Sequence, residues 1–363
     1  LIEGAMGLFD GAGSTREGSA SHLAGLFDLP VVLVLDCAGA STGIAAEVLG
    51  MMAFDPDLRI TGLILNRVGS DRHAALLRSA LARPAAGRDL PPVIGVLPRD
   101  TSLAHPGRHL GLVQAAERAD LDDWLRRVAD ACDAGIDLDA LFGAPISMRP
   151  VPAPVMAPLG QRIAVARDQA FAFAYPHILN EWRRMGAEIL PFSPLNDDPV
   201  PPGDAVYLPG GYPELHAGRL AANTTFLDSL RDAAHSATVY GECGGYMVLG
   251  DGLTDADGRR HAMAGLLRLE TSFAARRLHL GYRLIRALGG PFKGHYTGHE
   301  FHYSTQTKTQ GAPLFETWDS ARAPLGPVGL RHGPVCGSYL HLIDRADHRL
   351  DHFPPLDAPA QQA

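Results

Sequence analysis

Ala237-Thr238-Val239-Tyr240-Gly241-Glu242-Cys243-Gly244-Gly245-Tyr246-Met247-Val248-Leu249 changes character once, at the cysteine. The first four residues read as a short strand; beyond Gly244 the apolar spacing turns helical. Strand, then Gly-x-nucleophile-Gly-Gly, then helix is the pattern of a nucleophile elbow. Its glycines permit a bend that side chains would block, and they leave the sulfur exposed. The helix start is expected to lower the thiol pKa and to offer backbone N–H groups, that of Gly244 among them, to an oxyanion. The competing reading is a structural cysteine buried in a glycine-rich turn.

A thiol nucleophile needs a base. Val335-Cys336-Gly337-Ser338-Tyr339-Leu340-His341 reads as a strand ending in histidine, and that position singles out His341 among 16 histidines. A third strand end, Tyr207-Leu208-Pro209-Gly210-Gly211-Tyr212, can aim the bare N–H groups of Gly210 and Gly211 at a carbonyl under attack. A plain turn is its alternative. His299-Glu300-Phe301-His302 is one residue short of the HExxH zinc spacing, which excludes a metalloprotease. On a strand, Glu300 and His302 would share one face.

The same α/β pattern runs through the rest of the chain. Pro30 to Asp36, Ile60 to Asn66 and Pro92 to Leu97 are short apolar runs, the first expected to be a strand buried on both faces. Ile44 to Met52 and His73 to Leu81 read as helices between them, which implies a parallel sheet. Ligands in such sheets bind beyond the carboxyl ends of the strands, where Glu3, Asp36 and Asn66 are expected. Met148 to Pro158 carries four prolines and no periodicity, so it reads as a linker. After it the pattern restarts with strands at Arg162 to Ala166 and Ala187 to Phe192. Between them Phe171, Tyr175, Ile178, Trp182 and Met185 mark one helix face.

A chain of 363 residues exceeds the usual single core, so two domains are expected. Four cysteines without CxxC spacing argue against a disulfide framework or structural zinc and fit a reducing cytoplasm. A net charge of −8 gives a nucleic-acid partner no electrostatic support. No apolar run approaches the ~20 residues of a membrane helix. The opening Leu1-Ile2-Glu3-Gly4 reads as the end of a buried strand, so further sequence is expected upstream.

Taken together, Leu208-Pro-Gly-Gly-Tyr-Pro-Glu214, Gly241-Glu-Cys-Gly-Gly-Tyr-Met247, Gly298-His-Glu-Phe-His-Tyr-Ser304 and Gly337-Ser-Tyr-Leu-His341 resemble class I glutamine amidotransferases. The branch they look like is that of cobyrinic and hydrogenobyrinic acid a,c-diamide synthases. Glu3-Gly-Ala-Met-Gly-Leu-Phe-Asp-Gly11, Asp36-Cys37, Leu65-Asn-Arg-Val-Gly-Ser70 and Arg167-Asp-Gln-Ala-Phe171 match the same family. The matches run in order from the first residue to about position 343.

The resemblance implies two doubly wound α/β domains. Residues 1–147 would be a P-loop, dethiobiotin-synthetase-like synthetase domain lacking its first segment, because no GxxxxGK[ST] loop is present. Residues 148–160 would be the linker, and 161–355 the glutamine amidotransferase domain. Cys243 would release ammonia from glutamine with His341 as acid and base. The synthetase half would activate a ring carboxylate as an acyl phosphate with ATP and Mg²⁺. Glu3 would bind the metal, Asp10 the substrate carboxylate and Asn66 the adenine, with Asp36 behind them. Arg276, Arg277 and Arg283, or Arg67 and Arg72, are candidates to receive a tetrapyrrole-derived polycarboxylate.

The family's usual Glu two residues after the histidine is replaced here by Ile343, so the pair works as a dyad or borrows an orienting group; Glu300 is one candidate. Cobyric acid synthase, nickel-sirohydrochlorin a,c-diamide synthase and a non-enzymatic nucleotide-sensing protein are the alternatives. A homodimer fits the resemblance, and the composition leans toward hydrogenobyrinic acid.

Overall fold

The structure, a computed structural model, describes residues 1–346 apart from 5, 13–15, 109–110 and 144–154. The chain divides into two compact units, Leu1–Val151 and Pro152–Ala363. Positions 148–154 of the expected linker and 347–355 of the expected second domain lie outside the described residues.

In the first unit, Val31–Asp36, Ile60–Val68 and Val93–Pro98 form a parallel sheet in chain order. Helices Ile44–Phe54 and Asp71–Leu81 connect them. Ser70 starts the second helix, its hydroxyl accepting from the His73 N–H at 3.2 Å. Leu33, Leu35, Leu63 and Leu65 pack with Ile44, Val48, Leu77 and Leu81 from the two helices. Both helices therefore cover one face of the first strand, and Val34 on the other is 62% exposed. The apolar run at Pro30 to Asp36 does not bury both faces as expected.

The second unit is built on a six-stranded sheet. In spatial order its strands are Leu330–His332, Val335–Ser338, Thr238–Glu242, Ala205–Leu208, Arg162–Ala166 and Glu188–Phe192. All pairs are parallel except the first. Pro191, which cannot donate to a ladder, is confined to the edge strand. Phe171, Phe226, Leu230 and Met247 fill one core, and Ile163, Val165, Trp182 and Tyr240 a second. Beside this sheet lies a five-stranded antiparallel one: Pro324–Val328, Phe315–Trp318, His279–Ala287, His295–His302 and Leu340–Arg345. Among the described residues no helix is long and apolar enough to cross a membrane.

Two sequence expectations change here. The helix read from Phe171 to Met185 begins later, at Pro176, and ends at Arg184. Proline fits the first helical position, where its missing N–H is not needed. Phe171 belongs to the preceding loop, which Asp168 holds by accepting from the Ala170 N–H at 2.8 Å. The second change matters more: Val335 to His341 is two strands in two sheets, broken at Tyr339.

Tyr246, just after the elbow, is fully buried, and its hydroxyl meets no hydrogen-bond partner among the described residues. An unpaired buried hydroxyl costs about 1–3 kcal/mol. Tyr246→Phe is therefore expected to leave stability unchanged or raise it by up to about 2 kcal/mol. A higher urea midpoint at constant m-value is the expected reading; a clear fall in midpoint would show that the hydroxyl has a partner.

Candidate active site

Cys243 has φ 46°. For a residue with a side chain this left-handed conformation costs about 1–3 kcal/mol and persists only where the surroundings enforce it. They do so from three sides. The Cys243 N–H donates to the Ser338 carbonyl at 2.8 Å, and the Met247 N–H donates to the Cys243 carbonyl at 3.1 Å. Gly245 lies so close to the neighbouring strand that a Cβ there would stand 1.9 Å from the Leu208 carbonyl oxygen. The elbow is thus clamped between Ser338 on one neighbouring strand and Leu208 on the other, at the carboxyl end of the sheet.

His341 reaches the same place through the sheet switch. Ser338 pairs in register with Glu242 in the six-stranded sheet. Its hydroxyl then accepts from the Leu340 N–H at 3.2 Å, and the chain enters the antiparallel sheet with His341 opposite His299. Tyr339 is the pivot. Its ring stacks on His302 at 3.7 Å and meets Tyr246 edge-on at 5.5 Å, while its hydroxyl accepts from Ser304 at 2.7 Å.

Gly210 fills the space between Cys243 and His341. A Cβ at this glycine would lie 2.5 Å from His341 Cε1, 3.2 Å from His341 Nε2 and 3.3 Å from Cys243 Cβ. The Cε1–Nε2 edge of the imidazole therefore faces the Cys243–Gly210 side. Gly244 approaches the Gly211 N atom, which would lie 3.1 Å from a Cβ on Gly244. Cys243, His341, Gly210, Gly211 and Gly244 are thus gathered in one buried cluster.

The His341 ring is held on several sides. It stacks on His299 at 4.8 Å with an interplanar angle of 1°, and Tyr175 meets it edge-on at 6.0 Å. Tyr175 is itself hydrogen-bonded to His299. Burial, helped by His299 and His302, pushes the His341 imidazole down to about 3. It is therefore uncharged at neutral pH, as a proton acceptor must be.

The thiol departs from expectation. Burial pushes Cys243 well up, and Glu214, Glu242 and Glu300 add to that; the Gly244 N–H acts in the opposite sense but is outweighed. The helix after it, Gly244–Leu249, is only six residues long and lies wholly in the core. The expected lowering of the thiol pKa by the helix start is overturned: desolvation exceeds it. The thiol is therefore neutral.

Glu300 faces away from this pair. It accepts from Arg283 Nη2 at 2.8 Å and contacts His302 Nε2 at 2.9 Å. Burial works to raise its carboxyl, but His302 and Arg283 together bring it to about 2. The carboxylate behind His341 is instead Glu242, 3.9 Å from Nδ1. Sequence reading passed over it because a Glu next to the nucleophile on a strand should point away from it. The signal available was Gly-Glu-Cys itself, a charged residue at the end of an apolar strand.

His279, Glu300 and His302 bring potential ligand atoms within 4.8 Å of one another. Glu300 is already paired with Arg283, and the two imidazoles are stacked at 4.6 Å and 8°, so their in-plane lone pairs do not converge. This cluster is polar packing beneath Tyr339. Arg283 is thereby engaged, while Arg276 and Arg277 are exposed.

In the first unit, Asp36 and Asn66 are register partners at adjacent strand ends. Arg67 bridges them: its Nη1 donates to Asp36 Oδ2 at 2.8 Å and its N–H to Asn66 Oδ1 at 2.9 Å. Asp10 closes a local turn by accepting from the Gly7 N–H at 3.0 Å. Glu3 is exposed, and among the described residues no hydrogen bond or ion pair joins it to Asp10, Asp36 or Asn66.

Residues 162–348 match the family model of the CobB/CobQ-like glutamine amidotransferase domain. A hydrogenobyrinate a,c-diamide synthase of Brucella abortus biovar 1 (strain 9-941) is 55% identical over 354 residues, covering 95% of this chain and 79% of that protein. One from Sinorhizobium sp is 51% identical, covering 95% and 80%, and one from Rhodobacter capsulatus is 49% identical, covering 94% and 80%. A solved glutamine amidotransferase aligns at 17% identity and a TM-score of 0.34 over 49% of this chain and 89% of its own. With about half of its residues identical to relatives that it covers for four fifths of their length, the chain belongs to the hydrogenobyrinate a,c-diamide synthase family.

Proposed function

We propose that the chain uses glutamine and ATP to amidate the a and c acetate carboxylates of hydrogenobyrinic acid, in cobalamin biosynthesis. The observation that carries the glutamine half is the meeting of Cys243 and His341 across Gly210. The name shared by relatives at 49–55% identity favours the metal-free ring over the cobalt-containing one.

The Cys243 sulfur bonds to the glutamine amide carbon while its proton passes to His341 Nε2. The Gly210, Gly211 and Gly244 N–H groups face the oxygen that becomes negative. The proton then goes to the leaving nitrogen, which departs as ammonia and leaves a glutamyl thioester. Water, deprotonated by the same imidazole, releases glutamate.

The synthetase half belongs to the first unit. Phosphoryl transfer from ATP to a ring carboxylate gives an acyl phosphate, and ammonia displaces phosphate to form the amide. Glu3 and Asp10 offer the hard oxygen donors that Mg²⁺ takes. Asn66 is the adenine contact, and Asp36, bonded to Arg67, stands behind it. Four free cysteines suit a reducing compartment.

The test supplies the full-length protein with ATP, Mg²⁺, glutamine and, in turn, hydrogenobyrinic acid, cobyrinic acid and nickel sirohydrochlorin. Mass spectrometry should find two successive acid-to-amide changes on hydrogenobyrinic acid. No amidation of any of the three would overturn the substrate assignment.

A further inference from the structure

Glu242 lies at the end of the elbow strand, 1% exposed, directly before the nucleophile. A buried carboxylate without partners would be prohibitive, and this one is fully engaged. The Tyr240 hydroxyl donates to Oε1 at 2.9 Å and the Tyr207 hydroxyl to Oε2 at 2.7 Å. The Leu342 N–H donates to Oε1 at 3.3 Å. The two tyrosine rings stack on each other at 5.8 Å and 8°, which fixes both hydroxyls. The last contact of Oε2 is with His341 Nδ1, at 3.9 Å. Nδ1 is itself buried and has no hydrogen-bond partner among the described residues.

We infer that Glu242 is the positioning residue of the Cys243–His341 pair, holding the imidazole as the Nδ1–H tautomer with Nε2 free to take the thiol proton. The inference rests on the proposed roles of Cys243 and His341. Two independent observations support it: a carboxylate anchored by three donors, and a buried ring nitrogen facing it without another bond. At 3.9 Å the contact is electrostatic as it stands; such contacts tighten when substrate closes the site. In this chain the position two residues after the histidine is Ile343, so the orienting carboxylate comes from the nucleophile's strand instead.

The pH behaviour follows. Burial raises the Glu242 carboxyl to about 7, against the opposing hydrogen bonds of Tyr207, Tyr240 and Leu342. The other titratable groups around it are His341, Cys243 and Tyr175. A raised carboxyl is neutral below its pKa and charged above it. Only the charged form draws the Nδ1 proton toward itself, so glutamine hydrolysis should rise with pH through about 7.

The test is Glu242→Gln in the full-length protein, with glutamine hydrolysis and ammonia-driven amidation measured side by side. Glutamine can keep the tyrosine bonds, but its NH₂ can donate to Nδ1 and favour the wrong tautomer. We expect kcat for glutamine to fall about 10²–10⁴-fold, with KM within a few fold. The acid limb near pH 7 should disappear, and ammonia-driven amidation should persist. ¹⁵N-histidine spectra should show His341 losing its Nδ1–H form. If this variant melts early, Tyr207→Phe serves instead: removing one donor raises the carboxyl further and should move the acid limb to higher pH.

Wild-type kcat and an unchanged acid limb in Glu242→Gln would overturn the inference. So would losses that follow thermal melting and strike ammonia-driven amidation equally, which would mark a purely structural role. Cys243→Ala separates this failure from that of the underlying roles: continued glutamine hydrolysis there would remove the nucleophile itself.

Discussion

Replacing Cys243 by alanine is expected to cut glutamine-driven amidation at least about 10⁴-fold, to background, and to leave amidation from free ammonia within about twofold. The sulfur is the only nucleophile at the elbow, and no neighbouring group can take its place in forming the thioester. The fold should not suffer. Alanine tolerates φ 46° no worse than cysteine does, and the clamps on this residue are backbone bonds, its N–H donating to the Ser338 carbonyl and its carbonyl accepting from the Met247 N–H. The variant keeps both, so its melting temperature should stay within a few degrees of the wild type. Loss of the ammonia-driven reaction in a well-folded variant would contradict the proposed division of labour. Full retention of glutamine use would remove Cys243 from the chemistry altogether.

The elbow was legible because it is local. Strand, bend and helix follow one another within thirteen residues, and only glycine satisfies the close approaches at 241, 244 and 245. His341 was legible from its motif but not from its geometry. The run Val335 to His341 reads as one continuous strand, and nothing local marks Tyr339 as the point where the chain changes sheets. That switch is decided by tertiary contacts of Tyr339 with His302, Ser304 and Tyr246, all of them more than thirty residues away.

Glu242 was missed for a related reason. Its role depends on Tyr207 on the neighbouring strand and His341 nearly a hundred residues later, and strand alternation alone pointed it away from the site. The thiol was misjudged because helix-terminus electrostatics can be read from sequence whereas desolvation cannot. In the first unit, periodicity located three strands and two helices. It could not tell which face of Val31–Asp36 the helices would cover, since an apolar run is the same from both sides.

Gly210→Ala is the change expected to damage the site most for the smallest chemical alteration. The added methyl would stand 2.5 Å from His341 Cε1, closer than real side-chain carbons approach, and 3.3 Å from Cys243 Cβ. One of three parts has to move. The imidazole is stacked on His299 and boxed by Tyr175, so it has little room to slide. The loop cannot recoil through Gly211, where a Cβ would already lie 2.1 Å from the Ala170 carbonyl oxygen and the backbones nearly touch. Cys243 is fixed by its strained turn. The compromise must widen the gap between sulfur and Nε2 by some tenths of an ångström, and misplacement on that scale costs about 10²-fold or more in rate. Overpacking at a buried site adds about 1–3 kcal/mol of destabilisation, enough to lower the melting temperature but not to unfold the unit. The expected outcome is therefore a folded protein with glutamine hydrolysis reduced about 10²–10³-fold and ammonia-driven amidation intact. Wild-type glutamine kcat in Gly210→Ala would mean that the base approaches the nucleophile from another side, and the geometry on which both catalytic roles rest would have to be abandoned.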